Sequence, residues 1–564
     1  MSSSLLPAAA ILGRACPRRT APRVLVPPPL SISATRPSSG GATSSSSNIP
    51  TPSVVLASYC ARPSLLPQRQ RVFPFLQRSP KSCRGRRALH TIPITQPRLS
   101  IAVAAAAAAA AHTPSTVWDP PSRVRRRNFV AAAATPFRQG FKMGSVPDAN
   151  APTVKVFIAG GSYCGLSAAA NLLDLGQGLS PRMAQEAYVH HADLPRVNWD
   201  ITIADERDGF FHLIGSPLAL ADSDYANKAW VKFQDLVGLQ DPQIKFVNGA
   251  VTSVDCEAKK ATTVDNVTKE ATTHEYDYFV AATGLRRVWP VVPQSLTRKQ
   301  YLLEVEEHIH AVTNAQHGVV VVGGGAVGIE MAAELKLVQP DLKVTLVHSR
   351  DKLLSSEGLS DECKDKALEL VREANVDVLM GHRLKSTNKV ETLDGSTKYE
   401  VEFTNGHKMY ASQVIMAVSK SVTTSSYLPP SAVDEEGYVK IETSLRFEPG
   451  TPNHEYHFCS GDLARFTGIK RCGAAMHGGH YVAQNIHKSI LKERCGQEPA
   501  FMEFRLEIPP MIGLAVGKKA VASGPEGTVF GEDVMQSYFR DDLGFTICWD
   551  WIGLGGRKQE NLTA

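Results

Sequence analysis

The chain has 564 residues, with 61 Lys and Arg against 55 Asp and Glu. Twenty of the basic residues and one acid, Asp119, precede residue 143, which leaves a net charge of −13 for residues 143–564. This acidic body argues against nucleic acid as a partner, because phosphate binding requires a basic surface. The longest Ala-dominated apolar run, Ile101–Ala111, is shorter than the roughly 18 residues that span a bilayer, so no transmembrane segment is predicted.

The first 142 residues form a basic leader rich in Ser, Pro and Arg. Such a composition cannot bury a core, so residues 1–142 are predicted to be disordered. The leader is similar to a mitochondrial presequence, with RGRRALHT at Arg84–Thr91 as a candidate processing site. The prediction is a mitochondrial location; if translation instead starts at Met143, the prediction is a cytoplasmic one.

A glycine-rich turn, GGSYCG, follows the apolar run VKVFIA and precedes an Ala-rich helical stretch. This order of strand, turn and helix is typical of a dinucleotide site, where glycines let the backbone approach a pyrophosphate at a helix start. Gly160, Gly161 and Gly165 are candidate cofactor contacts. Ser162 stands where the middle glycine of the motif belongs, so its Cβ and hydroxyl are expected to intrude on the phosphate and degrade the site.

Asp205 ends the next apolar strand, where a carboxylate accepts hydrogen bonds from an adenosine ribose, and Glu206 is the alternative. A polar insertion over residues 176–198 separates this strand from the glycines, so the assignment requires that the insertion be looped out. The later stretch YDYFVAATG closes at Thr283 and Gly284. We expect this turn close beneath a flavin; the alternative is an ordinary strand-end turn.

A second turn, GGGAVG, follows the run GVVVV and has the full G-x-G-x-x-G spacing at Gly323, Gly325 and Gly328. One chain is therefore expected to hold two dinucleotides. The strand after this turn ends at His348 and Arg350, with no acid at the ribose position. Arg350 would accept a 2′-phosphate, which favours NADPH; alternatively, it is a solvated loop charge.

Two acids complete the candidate site. The sequence places Glu330 in the first turn of the second nucleotide helix, where it either holds the nicotinamide end or only favours the helix dipole. Gly461 and Asp462 close the strand FCSGD. Asp462 would bind ribityl hydroxyls, and the helix that follows would direct its amides at the N1 edge of a flavin.

The ten cysteines include no C-x-x-C or C-x-x-x-x-C pair. No dithiol beside the first turn is therefore predicted, and electrons are expected to leave on a diffusible acceptor. Cys164, inside that turn, is interpreted as a small residue filling a tight space. No metal site is predicted, because no ligand spacing supports one.

The C-terminal stretch from Phe501 alternates like a set of strands and ends FTICWDWIGLGG. Trp549 and Trp551 would then lie on one side of a strand. We expect a small sheet that packs on the flavin domain. The second hypothesis is an amphipathic edge that makes peripheral contact with a membrane and admits a hydrophobic acceptor.

Together these stretches resemble the pyridine-nucleotide-dependent flavoproteins, specifically their apoptosis-inducing-factor-like branch. The matching stretches are KVFIAGGSYCG, ADERDGFFH, GAVTSVD, FVAATG, VVVVGGGAVGIEMAAELK, VTLVHSR and FCSGDLA. The resemblance implies FAD contacts at Gly160, Gly165, Asp205, Val251 and Asp462. It implies NAD(P)H contacts at Gly323, Gly325, Gly328 and Glu330.

The chain departs from the family pattern at three places. Ser162 replaces a glycine, Leu218 stands near the position of a flavin-contacting arginine, and AVSK at Ala417–Lys420 replaces a second threonine-glycine turn. These departures bear on cofactor affinity more than on the fold.

The resulting fold prediction is α/β, with two Rossmann-like dinucleotide-binding domains, the second inserted in the first, and a small C-terminal α+β domain. The expected boundaries are 151–287 and 416–495 for the FAD domain, 288–415 for the NAD(P)H domain and 496–564 for the C-terminal domain. The predicted function is hydride transfer from NAD(P)H to FAD and onward to a quinone or similar acceptor. The alternative is a flavin-binding signalling protein, such as a cell-death effector, with incidental turnover. The oligomeric state is left open.

Overall fold

A computed structural model describes residue 148 and residues 150–393, 395–418 and 421–557. The predictions made for the leader and for Met143 lie outside these ranges. Among the described residues, no helix is both long and apolar enough to cross a bilayer.

The strands are named in chain order. They are β1 (Thr153–Ala159), β2 (Asn198–Asp205), β3 (Gly209–Phe211), β4 (Trp230–Lys232), β5 (Ile244–Asp255), β6 (Lys260–Asp265), β7 (Ala271–Glu275), β8 (Tyr278–Ala281), β9 (Leu285–Arg286), β10 (Val319–Val322), β11 (Val344–Val347), β12 (Asp377–Leu379), β13 (Leu384–Val390), β14 (Lys398–Phe403), β15 (Lys408–Ala411), β16 (Gln413–Met416), β17 (Val422–Thr423), β18 (His457–Cys459), β19 (Ile512–Val516), β20 (Lys519–Gly524) and β21 (Gly527–Gly531).

The α-helices are named in the same way. They are α1 (Tyr163–Gly176), α2 (Ser216–Ala219), α3 (Ser223–Ala229), α4 (Arg298–Thr313), α5 (Ala326–Val338), α6 (Asp361–Glu373), α7 (Cys472–Cys495), α8 (Glu532–Tyr538) and α9 (Phe545–Ile552).

The first unit is a seven-stranded sheet in the order β18-β8-β1-β2-β5-β6-β7. Strands β18, β8, β1, β2 and β5 run parallel, and β6 and β7 extend the sheet antiparallel. Strand β1 lies inside the sheet, where a parallel strand covered on both faces reads as an apolar run. Helices α1 and α7 pack together closely, since a Cβ on Gly479 would lie 2.3 Å from the Cys164 carbonyl oxygen.

The polar insertion lies outside the sheet, as the assignment of Asp205 required. Residues 177–197 contain no strand or helix, while β2 still pairs in parallel with β1. The insertion is anchored by Arg182, whose guanidinium lies 2.8 Å from the Asp174 carboxylate at the end of α1. Both side chains are almost fully buried, so the loop is fixed against the first unit rather than solvated.

The second unit is a four-stranded parallel sheet in the order β12-β11-β10-β16. Helix α5 connects β10 to β11, and an antiparallel sheet of β13, β14 and β15 lies between β12 and β16 in the chain. The whole unit falls between β8 and β18 of the first sheet. This arrangement confirms the predicted α/β fold with one dinucleotide-binding unit inserted in another.

The connection between the units includes a two-stranded ribbon of β9 and β17. Strand β16 pairs with β10 up to Met416, so the second sheet extends to the residue at which the second FAD-domain segment was predicted to begin. After α7, strands β19, β20 and β21 form an antiparallel sheet, followed by α8 and α9.

The prediction of a terminal strand is wrong for the segment that carries Trp549 and Trp551. Phe545–Ile552 is helix α9, so the two indoles project in different directions. Phe545 and Trp549 stack at i and i+4, with ring centroids 5.5 Å apart, and Trp551 contacts His477 of α7. The shared strand face predicted for the two indoles is therefore absent.

Candidate functional site

The first glycine-rich turn links the carboxyl end of β1 to the start of α1. Gly160 has φ +109°, and its amide donates to the Ala204 carbonyl of β2 at 2.8 Å. A Cβ at Gly165 would lie 1.9 Å from the Gly160 carbonyl oxygen. Glycine is therefore required at both positions by the backbone itself, and the turn leaves free amides at the helix start.

Ser162 occupies the middle position of this turn without strain. It is the N-cap of α1, with φ −114° and an extended backbone. The equivalent Gly325 of the second turn has φ −82°, and a Cβ there would meet no protein atom within 4 Å. The fold accepts a side chain at this position. The expected effect of Ser162 is therefore limited to the space that its side chain takes from a bound phosphate.

Asp205, at the end of β2, contacts the first turn directly. Its carboxylate accepts from the Gly161 amide at 2.6 Å and from the Arg207 amide at 2.8 Å. Burial raises the pKa of Asp205, and the two hydrogen bonds oppose that rise. The alternative acid, Glu206, is paired with Arg286 at 2.9 Å. Asp205 is thus the acid that the sheet places at the glycine turn.

Thr283 and Gly284 lie against the same turn. A Cβ on Gly160 would fall 2.9 Å from the Thr283 backbone nitrogen. The Thr283 hydroxyl contacts those of Tyr427 and Thr424 at 3.1 and 2.7 Å, and the Thr424 hydroxyl donates to the Gly284 carbonyl. The threonine-glycine segment is therefore tied to the chain that returns from the second unit.

Gly461 and Asp462 follow β18 at the same edge of the sheet. A Cβ on Gly461, which has φ +78°, would lie 3.4 Å from the Cβ of Cys164 in the first turn. Asp462 accepts from the Arg287 guanidinium at 3.1 Å, and both side chains are partly exposed. The chain then enters α7, whose N-terminal amides face this region.

Val251 lies further out on the first sheet. It belongs to β5, beside β2, and pairs with Thr263 of β6 next to a β-bulge. Its half-buried side chain packs against the edge of the hydrophobic core of the first unit, on the strand next to the one that ends at Asp205.

The second glycine-rich turn repeats the geometry of the first. Gly323 has φ +125°, and a Cβ at Gly328 would lie 1.8 Å from the Gly323 carbonyl oxygen. His348, at the end of β11, accepts from the Gly324 amide at 3.1 Å through Nδ1, as Asp205 does in the first unit. Burial lowers the pKa of His348, which keeps the ring neutral and able to accept this hydrogen bond.

Arg350 and Ser349 are exposed just beyond the second strand. The Arg350 guanidinium donates to the Ser355 hydroxyl at 3.1 Å, and that hydroxyl also contacts His348 Nε2 at 2.9 Å. A cation is thus held near the strand end where a nucleotide ribose would lie.

Glu330 is placed differently from the prediction. Helix α5 begins at Ala326, so Glu330 lies in its second turn rather than its first, which weakens the helix-dipole explanation. Its carboxyl accepts from the Ala515 amide of β19 at 3.3 Å, and burial raises its pKa to about 8. Glu330 is therefore a neutral acid at pH 7, held between the second unit and the C-terminal sheet.

Several residues around the candidate site were missed by sequence reasoning. Arg287 forms an ion pair with Asp462. The charge of Asp462 also acts on Lys470, and burial lowers the pKa of Lys470 to about 8. Cys472 begins α7 beside Arg471. No sequence motif marks these groups, because each is brought in by tertiary packing.

The described residues contain no group of three or more His, Cys, Asp and Glu that could hold a metal ion. A surface cavity of about 510 Å³ lies beside Trp230 and Arg298, and none of its lining residues belongs to a glycine-rich turn. The candidate site is therefore defined by the turns and the strand ends that converge on them, not by this cavity.

The fold is similar to that of a solved structure. NDH2 from Plasmodium falciparum, solved in complex with RYL-552, superposes with a TM-score of 0.50 and 14% identity, covering 72% of this chain and 99% of that one. The two glycine turns thus belong to two Rossmann-like units of one chain. The chain belongs to the pyridine nucleotide-disulphide oxidoreductase family, whose profile matches residues 154–479.

Three similar relatives confirm the resemblance to the apoptosis-inducing-factor-like branch. Oxidoreductase OXR1 from Ajellomyces capsulatus is 50% identical over 423 residues, which cover 73% of this chain and 90% of that protein. Ferroptosis suppressor protein 1 from Homo sapiens is 22% identical, covering 65% of this chain and 89% of the relative. Apoptosis-inducing factor homolog A from Dictyostelium discoideum is 23% identical over 339 residues.

Proposed function

We propose that the chain is an FAD-dependent NAD(P)H oxidoreductase that passes electrons to a quinone or similar diffusible acceptor. The observation that carries the proposal is the repetition of one arrangement in two units of the chain. At the first glycine turn Asp205 accepts from the Gly161 amide at 2.6 Å, and at the second His348 accepts from the Gly324 amide at 3.1 Å. One chain with two such turns can hold both of the cofactors that hydride transfer requires.

The residues of the first unit fit an FAD. Gly160 and Gly165 let the turn close tightly, because a Cβ at either position would clash with backbone atoms, and the N-terminal amides of α1 are left available to a pyrophosphate. Beside the Gly461 turn, the buried Arg471 Nε has no hydrogen-bond partner among the described residues. When bound, FAD would supply the two-electron chemistry of hydride transfer.

The residues of the chain would position the cofactors and stabilise charge. Arg287, Lys470 and the amides at the start of α7 give a positive potential near Asp462, which favours the negative charge of a reduced flavin. Glu330, neutral at pH 7, has one carboxyl oxygen engaged by Ala515 and can donate a hydrogen bond to a nicotinamide carboxamide.

The identity of the donor and acceptor rests on separate arguments. The exposed Arg350 lies just beyond His348, which stands where the first unit has Asp205, and it favours NADPH through a charge-assisted hydrogen bond to a 2′-phosphate. The choice of a quinone rests on the resemblance to the apoptosis-inducing-factor-like branch. A mitochondrial location remains our proposal from the basic leader.

The signalling alternative loses the features that favoured it. Ser162 adopts an unstrained extended backbone, so it does not disable the turn. Leu218 replaces a flavin-contacting arginine, but Arg287 brings a guanidinium beside Asp462 from another segment. Neither departure requires a protein that binds flavin without turning over.

Stopped-flow mixing of the flavin-loaded protein with NADPH tests the proposal. We expect the oxidised-flavin absorbance to disappear within milliseconds to seconds. Glu330→Ala should slow this phase by about tenfold, since the loss of one hydrogen bond near the reacting groups costs about 1.4 kcal/mol. Glu330→Gln, which can still donate, should reduce the flavin at nearly the wild-type rate.

Glu334→Gln is the matched control, because Glu334 lies one turn further along α5 and is likewise buried. Its reduction rate should equal that of the wild type. No bleaching of the loaded wild-type protein over minutes would overturn the proposed enzyme. A wild-type rate in Glu330→Ala would remove only the role assigned to Glu330.

A further inference from the structure

The second glycine-rich turn is tied to two other segments through the backbone of Gly324. The Gly324 amide donates to Nδ1 of His348 at 3.1 Å, and its carbonyl accepts from the Leu354 amide at 2.8 Å. A Cβ on Gly324 would lie 2.8 Å from Cγ of His348 and 2.5 Å from Cδ2 of Leu353, so both side chains pack directly on the turn. Ser355, the next residue of this loop, is therefore held beside the turn.

The hydrogen bond from Gly324 also fixes where the His348 ring carries its hydrogen. Nδ1 accepts from an amide, so it bears no hydrogen, and the hydrogen of the neutral ring is on Nε2. Nε2 lies 2.9 Å from the Ser355 hydroxyl oxygen and is therefore the donor in that contact. Burial lowers the pKa of His348, which favours this neutral form.

The half-buried Ser355 hydroxyl thus has its own hydrogen left to donate. Its oxygen accepts from His348 Nε2 and from the Arg350 guanidinium, the latter at 3.1 Å. A serine oxygen offers two lone pairs and one hydrogen, so two accepted hydrogen bonds leave the hydrogen pointing away from both donors. The described residues supply no acceptor for it.

The same serine oxygen positions Arg350. The Arg350 side chain is exposed, and within the described part of the chain the hydrogen bond to Ser355 is the one side-chain contact that holds its guanidinium. One guanidinium nitrogen is engaged there, and the other N–H groups stay open to an anion. Ser355 thus brings together a hydroxyl donor and a positioned cation at the end of β11.

This pair lies where the ribose of a nucleotide on the second turn is expected. His348 accepts from its turn amide as Asp205 does in the first unit. A carboxylate at that position accepts from a 2′-hydroxyl and repels a 2′-phosphate, whereas a neutral imidazole leaves room for negative charge beside it.

We propose that Ser355 is a specificity-determining residue that selects NADPH over NADH. Its hydroxyl donates to an oxygen of the 2′-phosphate, and its oxygen keeps the Arg350 guanidinium turned toward the same phosphate. NADH presents only a 2′-hydroxyl and gains no charge-assisted hydrogen bond there. The inference rests on the proposed function only in assigning a pyridine nucleotide to the second turn.

Calorimetric titration of the flavin-loaded protein with NADP⁺ and NAD⁺ measures this preference without turnover. The wild type should bind NADP⁺ at least ~tenfold more tightly than NAD⁺. Ser355→Ala should raise the Kd for NADP⁺ by about tenfold and leave the Kd for NAD⁺ unchanged. A residue that only supported the fold would change both constants together.

Two further substitutions vary the chemistry at the same position. Ser355→Thr retains a hydroxyl and should keep most of the preference for NADP⁺. Ser355→Asp should reverse the preference, because its carboxylate pairs with Arg350 and repels the phosphate. Ser356→Ala is the matched control, since Ser356 is the exposed neighbour, and it should bind both nucleotides as the wild type does.

Equal affinity of the wild type for the two nucleotides would overturn the inference. An unchanged preference in Ser355→Ala, or an equal loss of both affinities, would do the same. Where Ser355→Ala fails to fold, a wild-type preference in Ser355→Asp would overturn it. Preferential binding of NADP⁺ without bleaching of the flavin by NADPH would instead sink the proposed enzyme and leave the role of Ser355 standing.

Discussion

Two carboxyl groups one helical turn apart on α5 share a raised pKa for the same reason. Glu330 and Glu334 are each raised to about 8, mainly by burial, since neither forms an ion pair. Glu330 still accepts from the Ala515 amide, whereas Glu334 Oε1 has no partner among the described residues. The sequence could place both acids on a helix, but their charge state depends on packing against other elements, which no local pattern contains.

The stability of the protein should therefore depend on the ionisation of Glu334. The pKa of Glu334 is about 8 in the folded protein, above the value near 4.3 of an unfolded chain. Its contribution to the free energy of unfolding is therefore fully present below pH ~4.3 and is lost as the pH rises through about 8. Glu334→Gln keeps a neutral side chain of similar shape at every pH. Between pH 5 and 8.5, the free energy of unfolding of the wild type should fall relative to this variant by about 2–4 kcal/mol.

Urea unfolding of both proteins at several pH values measures this difference. Glu362→Gln, at an exposed position on α6, is the control and should track the wild type at every pH. Parallel stability curves for the wild type and Glu334→Gln would show that Glu334 is already ionised in the folded protein.

The two glycine-rich turns show how far elements could be predicted from sequence. Each strand, turn and helix was located correctly, because apolar runs and glycine spacing are local signals. The same local reasoning failed for α9, where a short apolar stretch fits a strand and a helix equally well. Phe545 and Trp549, four residues apart and stacked, carry the helical period that would have separated the two.

A pair of substitutions in the second turn separates folding from nucleotide binding. Gly325→Ala adds a Cβ where no protein atom lies within 4 Å, so the unfolding free energy should be nearly unchanged. The Cβ would project where a pyrophosphate approaches, so the Kd for NADPH should rise by about tenfold, or ~1.4 kcal/mol. Gly328→Ala places a Cβ 1.8 Å from the Gly323 carbonyl oxygen and should destabilise the protein by about 1–3 kcal/mol.

Thermal unfolding and fluorescence titration with NADPH give the two quantities. Ser162 makes the contrast specific, because the first turn already carries a side chain at the position of Gly325 and is unstrained. Equal loss of stability in both variants would mean that the second turn tolerates no side chain at all, and unchanged affinity in Gly325→Ala would place the nucleotide elsewhere.

At the scale of the whole molecule, the order of motifs predicted the insertion of one nucleotide unit in the other, while the side-chain groups that join the units were not predictable. The hydrogen bond from the Ala515 amide to Glu330, and the ion pair between Arg287 and Asp462, each join segments distant in the chain. The sequence reveals such contacts only where a known motif marks the residues that make them. The two glycine-rich turns were therefore predicted from the sequence, and the side-chain contacts between the two units were not.

The charge division of the chain leads to a prediction about its location. The leader carries 20 basic residues and one acid, while residues 143–564 carry a net charge of −13. A positive segment is drawn toward the negative side of an energised membrane by about 2.3 kcal/mol per charge per 100 mV, and an acidic body is not. Incubated with energised mitochondria, the full chain should become protected from added protease.

A chain that starts at Met143 should stay fully accessible to protease, and depolarising the membrane should abolish protection of the full chain. Replacing Arg84, Arg86 and Arg87 with Gln serves as a second control, since it removes only part of the leader charge and should block processing at Arg84–Thr91 more than import. Protection of the Met143 chain would place the targeting information in the folded body. Protection of neither chain would instead support the cytoplasmic alternative.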